Sequence, residues 1–380
     1  MKRTSTKPKK EVPRGDTLPA YIRDYIRINP DAQMKKTYKL IWRPKAPANY
    51  LIQGADLLQV AGASALTLDL IGATLDLTDL QVNNMGILNE LKSLSIYYVK
   101  TIYGLDGLQN LQSLSLTKCG LTDLPELPRL RDLTVIACEN LSLKTLDFPS
   151  LTRLELSTCS RTGGLILPDL SRFPMVTDLN LDLNGLKTLQ KAVQTLPLQA
   201  LSLVENFFKK IPLVLRSVPT LQRLNLASNE ITEIPAWFST LENLERLDLT
   251  DNKLTRLDRL GNLPRLIDLK VGGNLFREDA LSDFFRTETA QEIRYLSLQE
   301  NEIEQIPPEI VNCQQLEVLD LSFNPIKDLP AYLNDLPHLR VLYLLPSDNT
   351  NEMPIGTFPF QILTTRTEIW TYETDLSLSD

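Results

Sequence analysis

The side chains able to do chemistry are few. His338 is the only histidine, so neither a two-histidine metal site nor a histidine-centred triad with a second proton carrier can be assembled. It stands just before Leu339, where a spacer on a returning segment is expected. Cys119, Cys138, Cys159 and Cys313 could bind zinc or pair as disulfides. The first three are spaced 19 and 21 residues apart and none forms a C-x-x-C pair, which disfavours a metal site and favours buried packing. Gly272-Gly273 lacks the Lys and Ser/Thr of a phosphate-binding loop. Paired acids such as Asp248 and Asp251 could share a proton, yet any acidic solvated face would carry them. We therefore expect no catalytic residues, no metal, no cofactor and no enzymatic activity.

These residues lie in a periodic chain. Seventy-four residues are Leu, about double ordinary usage. A nine-residue frame, Leu-x-x-Leu-x-Leu-x-x-Asn, recurs twelve times, starting at Leu91, Leu111, Leu130, Leu151, Val176, Leu198, Leu221, Leu244, Leu266, Ile293, Leu316 and Leu339. The intervals run from 19 to 27 residues, and Leu68, Leu70, Ala73 and Leu75 mark a degenerate thirteenth copy upstream. Apolar positions four and six alternate with polar ones, the period of a strand buried on one face. No copy can bury that face alone, so neighbours must stack and share a core. Position nine holds Asn184, Asn206, Asn229, Asn252, Asn274, Asn301 and Asn324. A buried amide there offers donor and acceptor to backbone groups left unpaired where the strand ends. Cys119, Cys138 and Cys159 fill the same slot earlier. Pro212, Pro235, Pro307 and Pro330 should break the strand into irregular or short helical returns. In the long copy from Leu266, the spacing of Leu281, Phe284 and Phe285 predicts one full helix within Arg277–Thr289.

From residue 65 to 345 this frame resembles the leucine-rich repeat family. The short segment Leu124-Pro-Glu-Leu-Pro128 is similar to the repeats of secreted bacterial effectors, and the 23-residue copies from Leu221 to Leu339 to Ras-associated scaffolds. The resemblance implies an α/β leucine-rich repeat solenoid: a curved horseshoe, its concave side a parallel β-sheet and its convex side irregular with short helices. It also implies a non-enzymatic scaffold that binds a protein partner through the concave face. A secreted bacterial effector and a regulatory subunit of a phosphatase or small GTPase pathway are the alternatives it allows.

Residues 1–50 carry thirteen Lys/Arg against four Asp/Glu, net +9, and residues 51–380 carry −16. Residues 1–15 read as a disordered basic tail, 16–64 as an N-terminal cap with a helix at Pro19–Ile28 and an edge strand at Tyr38–Trp42, and 346–380 as a C-terminal cap or tail. Strand candidates at Phe358–Leu363 and Glu368–Tyr372 could close that end. No apolar run reaches the length of a transmembrane segment and no apolar stretch follows the basic start, so a cytoplasmic protein is expected. Free thiols suit a reducing compartment.

Binding chemistry must then come from the polar frame positions two, three, five, seven and eight. Arg153, Glu155, Asp178, Asp182, Glu205, Arg223, Arg246, Asp248, Asp251, Asp268 and Lys270 give that face mixed charge, which disfavours nucleic acid except at the basic tail. Near the C-terminal end the row changes character: Tyr295, Val318 and Val341 fall on successive strands, with Phe323 and Tyr343 beside them. Exposed aromatics among charges concentrate binding energy, so this patch is the expected contact site unless the C-terminal segment folds back over it. Tyr97 and Tyr98 form a second candidate.

Overall fold

The computed structural model describes residues 37–42, 51–53, 64–78, 90–142, 146–159, 168–326, 328–345 and 368–370. The basic tail, the helix at Pro19–Ile28, Thr162–Gly164, Pro346–Met353 and Phe358–Leu363 lie outside them. The chain divides into two compact units, Met1–Arg161 with Ile166–Met175, and Thr162–Leu165 with Val176–Asp380.

Strands are numbered in chain order. In the first unit β1 (Thr37–Trp42), β3 (Ala65–Leu70), β5 (Ser93–Tyr97), β7 (Ser113–Thr117), β8 (Asp132–Ile136) and β9 (Arg153–Ser157) pair in parallel in that order. Parallel pairing starts at Thr37, one 28-residue step before Ala65. A second parallel sheet, β2 (Leu51–Gln53), β4 (Thr74–Asp76) and β6 (Thr101–Tyr103), forms on the returning segments. The nine-residue frame gave no sign of this sheet, because its strands fall between successive frames. In the second unit the order is β10 (Asp178–Asn180), β11 (Ala200–Ser202), β12 (Arg223–Asn225), β13 (Arg246–Asp248), β14 (Asp268–Lys270), β15 (Tyr295–Ser297), β16 (Val318–Asp320), β17 (Val341–Tyr343) and β18 (Glu368–Trp370), again all parallel.

Register stacks equivalent leucines. Leu94, Leu114, Leu133 and Leu154 are successive partners in the first unit, as are Leu224, Leu247, Leu269, Leu296, Leu319 and Leu342 in the second. All are buried, with the position-six side chains beside them. A column of identical branched side chains one strand apart is what a frame of nearly constant phase must produce. Polar side chains also help end the strands. Asn180, Asn225, Asp248 and Asp320 at position five each accept the backbone N–H two residues on, at 2.9, 2.9, 3.0 and 3.0 Å. That local bond favours the turn after the strand, although β11, β14, β15 and β17, with Ser202, Lys270, Ser297 and Tyr343 in the slot, are also three residues long. In the first unit the slot holds Ser95, Ser115, Thr134 and Glu155, and strands β5, β7, β8 and β9 run five residues.

The seven position-nine asparagines are all buried. Asn252 is representative: its Nδ2 donates to Leu226, Leu249 and Thr250 carbonyls at 3.0, 3.1 and 3.2 Å, and its Oδ1 accepts Ile231 N–H at 2.9 Å. The amides of Asn206, Asn229, Asn252, Asn274, Asn301 and Asn324 thus each join their own strand end to the preceding copy. In the first unit thiols make a thinner version. Cys119 Sγ donates to Ile96 O at 3.4 Å, Cys138 Sγ to Leu116 O at 3.5 Å and Cys159 Sγ to Val135 O at 3.3 Å. Asn252→Ala should cost about 2–3 kcal/mol, because Ile231 N–H loses its acceptor in a buried place; urea unfolding of the variant measures it.

The returns follow the prolines. Pro212, Pro235, Pro307 and Pro330 each precede a five-residue 3-10 turn, Leu213–Ser217, Ala236–Thr240, Pro308–Asn312 and Ala331–Asp335. The central residues Leu215, Phe238, Ile310 and Leu333 plug the core. Proline's fixed φ and missing N–H suit the start of such a turn. In the long copy the single expected helix is divided into α1 (Glu278–Phe285) and α2 (Glu288–Glu292). Thr287 causes the break. Its Oγ1 donates to Phe284 O at 2.7 Å and accepts Ala290 N–H at 3.3 Å, closing one helix and capping the next.

Candidate binding surface

The register fixes which outward side chains meet. In the second unit the position-three row runs Asp178, Ala200, Arg223, Arg246, Asp268, Tyr295, Val318, Val341, Glu368. The position-five row runs Asn180, Ser202, Asn225, Asp248, Lys270, Ser297, Asp320, Tyr343. Row three passes from the charges of Asp178, Arg223, Arg246 and Asp268 to Tyr295, Val318 and Val341 before ending on Glu368, whereas row five stays polar through Asp320 and turns aromatic at Tyr343. Tyr295, Val318 and Val341 are therefore direct neighbours. Tyr343 flanks Val341, and Phe323 follows at the end of the Val318 strand, all five half-buried. Glu368–Trp370 continues the sheet beside Val341–Tyr343 as one more strand.

Electrostatics around the patch is specific. Lys270 Nζ lies 5.7 Å from the centre of the Tyr295 ring, a cation–π contact. Burial first, and then the carboxylates of Asp320 and Asp268, push the Tyr295 hydroxyl above its ordinary value, so it stays a neutral donor. Burial likewise raises the Asp268 carboxyl, against the pull of Lys270 and Arg246. Arg223 reaches across Ala200 to Asp178 at 3.2 Å. Not every polar frame position is available to a visitor. Ala227 and Ser322 at position seven, and Ser297 at position five, are buried.

Position eight has a property that the frame did not reveal. Tyr98, Lys118, Ala137, Thr158, Leu183, Glu205, Ser228, Asp251, Glu300 and Phe323 all have positive φ, between 50° and 61°. Each immediately precedes its position-nine residue, where the backbone turns inward. Gly72 and Gly273, at φ 73° and 60°, occupy the equivalent place and are the sequence signal for it. This also accounts for Gly272-Gly273: a Cβ on Gly272 would lie 2.5 Å from Gln299 Cγ, and one on Gly273 2.2 Å from Asp251 Oδ1. The pair is structural.

A bulky side chain in the left-handed region is disfavoured, so Tyr98, Leu183 and Phe323 stand there against the backbone's preference. Tyr98 lies in the first unit with Tyr97 on the preceding residue, and Lys118 Nζ sits 5.4 Å from the Tyr98 ring centre. The five patch residues belong to the second unit. Sequence reasoning passed over two exposed apolar residues on adjacent copies there, Leu183 (43%) and Phe207 (51%). Phe207 directly follows Asn206, at a position outside the frame that holds Gly185, Glu230, Lys253, Glu302 and Pro325 in other copies and a second exposed apolar residue, Leu275, in one.

Among the described residues no group of three His, Cys, Asp or Glu side chains could hold a metal ion. His338 is exposed on a turn. The four thiols are buried. Burial pushes Cys313 up to about 12, and burial with the neighbouring Cys138 does the same for Cys159. The Cys138 sulfur beside it, and then burial, raise Cys119. A folded-state thiol value raised from the ordinary 9.0 to about 12 stabilises the fold below pH 9, and that contribution is lost as pH rises from 9 to 12. Chemical denaturation at pH 8 and pH 10.5 should show lower stability at the higher pH, and a thiol reagent at pH 8 should react with the four cysteines only on unfolding.

Residues 219–276 match a family model described as leucine rich repeat, and 291–331 and 314–355 match one described as leucine rich repeats, two copies. No curated protein sequence matches the chain. Among solved structures it is similar to an internalin from Listeria monocytogenes, at 20% identity and TM-score 0.56, covering 91% of this chain and 88% of that one. It is also similar to a leucine-rich repeat protein from Leptospira interrogans, at 22% identity and TM-score 0.61, covering 93% and 92%. Both likenesses concern the fold. Among the described residues no helix is long and apolar enough to cross a membrane.

Proposed function

We propose that this chain, a leucine-rich repeat protein, is a binding scaffold that holds a protein partner against the outward face of its second-unit sheet. Repeats of this kind generally mediate protein–protein interaction, and the described residues hold no group of three His, Cys, Asp or Glu that could bind a metal ion. The observation that carries the reading is the change along row three, from the charges of Asp178, Arg223, Arg246 and Asp268 to the register neighbours Tyr295, Val318 and Val341, with Tyr343 on the Val341 strand and Phe323 just past the Val318 strand. Aromatic side chains with few rotatable bonds, set in a charged surround, supply contact area at low entropic cost. Tyr97 and Tyr98 are assigned a secondary contact in the first unit on the same chemistry.

Site-specific photo-crosslinking tests the location. A benzophenone side chain at Val318 should capture the partner from cells expressing the full chain, and the same group at exposed Lys209, on an outer turn, should not. Equal capture at both positions, or capture at Lys209 alone, would refute the assignment.

A further inference from the structure

Resting on that reading of the patch, we propose that Asp320 is its specificity residue and that it receives an arginine side chain of the partner, stacked against Tyr295 and Tyr343.

Three observations support this. First, Asp320 is the only charge in rows three and five between Lys270 and Glu368, with Val318, Tyr343 and Phe323 around it. Among the described residues no lysine or arginine forms an ion pair with it. Second, its charge is surplus to the fold. Position five needs only an acceptor for the N–H two residues on, and Asn180 and Asn225 supply that acceptor without charge in the same geometry. Asp320 Oδ1 does the same job for Ser322 N–H at 3.0 Å, so the fold uses one carboxylate oxygen as an acceptor and not the charge. Third, the neighbouring ring already accepts a cation: Lys270 lies over Tyr295. A guanidinium matches this site better than an ammonium, because it is planar, stacks on aromatic faces and presents paired donors to a carboxylate. An acidic or phosphate-bearing segment would meet Asp320, Glu300 and Asp268 instead, and is disfavoured.

A phage-displayed random dodecapeptide library selected on the full chain tests the chemistry without knowledge of the natural partner. Enriched peptides should share an arginine next to an aromatic or branched residue. Asp320→Asn should lower their affinity by about tenfold or more with an unchanged melting temperature, since Asn keeps the Ser322 bond. Arg→Lys in the peptide should weaken binding on the unaltered chain and matter little on the Asp320→Asn variant. If the peptides bind the triple Ala variant of Tyr295, Phe323 and Tyr343 as well as the unaltered chain, the patch reading itself fails. If they lose affinity for the triple variant but not for Asp320→Asn, or lack a cation, the patch stands and the arginine assignment falls. An unenriched library overturns both.

Discussion

Leu247→Ala is expected to lower the unfolding free energy by about 2–5 kcal/mol, whereas Asp248→Asn, one residue along, should leave it within about 0.5 kcal/mol. Leu247 is 1% exposed and stands between Leu224 and Leu269 in the stacked column. Truncation there removes contacts to both neighbouring copies, and backbones tied by Asn229 and Asn252 cannot close the void. Asp248 faces outward and needs only its acceptor oxygen for Thr250 N–H, which Asn retains. Guanidinium titration of both variants decides it. Because neighbouring copies share one core, the loss should appear in the cooperative unfolding of the second unit and not as local fraying. Equal losses at 247 and 248 would mean that the inward and outward phases are misassigned.

The second large effect concerns binding. Alanine at Tyr295, Phe323 or Tyr343 should each weaken the partner complex by about 2 kcal/mol, and the three together by about 4 kcal/mol or more, roughly a thousandfold in Kd. The changes should leave the fold intact. None of the three plugs the core, and Ala137 already shows that alanine is accepted at the left-handed position where Phe323→Ala would place one. Calorimetric or optical titration with the crosslinked partner, beside a circular dichroism melt, separates affinity from stability. A folded triple variant that binds undiminished would remove these residues from the interface.

The sequence made the fold legible because one rule is repeated. Leu at positions four and six and Asn at nine recur with nearly constant phase. That phase alone predicts strand and inward turn at each copy and a buried amide in the seven copies that carry Asn, as Leu247 and Asn252 illustrate. The proline returns were equally readable, since proline's restriction is local. Less legible were features set by neighbours. The second parallel sheet through Thr74–Asp76 and Thr101–Tyr103 depends on pairing across copies. The division of the long helix coincides with the hydrogen bonds of the Thr287 hydroxyl to Phe284 O and from Ala290 N–H.

For the binding surface, the sequence by itself determined which residue types lie in each row and where aromatics replace charges. Only the tertiary structure decided that Tyr295, Val318 and Val341 are adjacent in one register, and that Lys270 rests on the Tyr295 ring. It also decided that Ser297 and Ser322 are withdrawn and that the Asp320 charge stands without an ion-pair partner among the described residues. The reason is physical: apolar periodicity is a property of one strand, written along the chain. Adjacency, burial and charge pairing are properties of neighbouring strands, which exist only once copies some 23 residues apart have stacked.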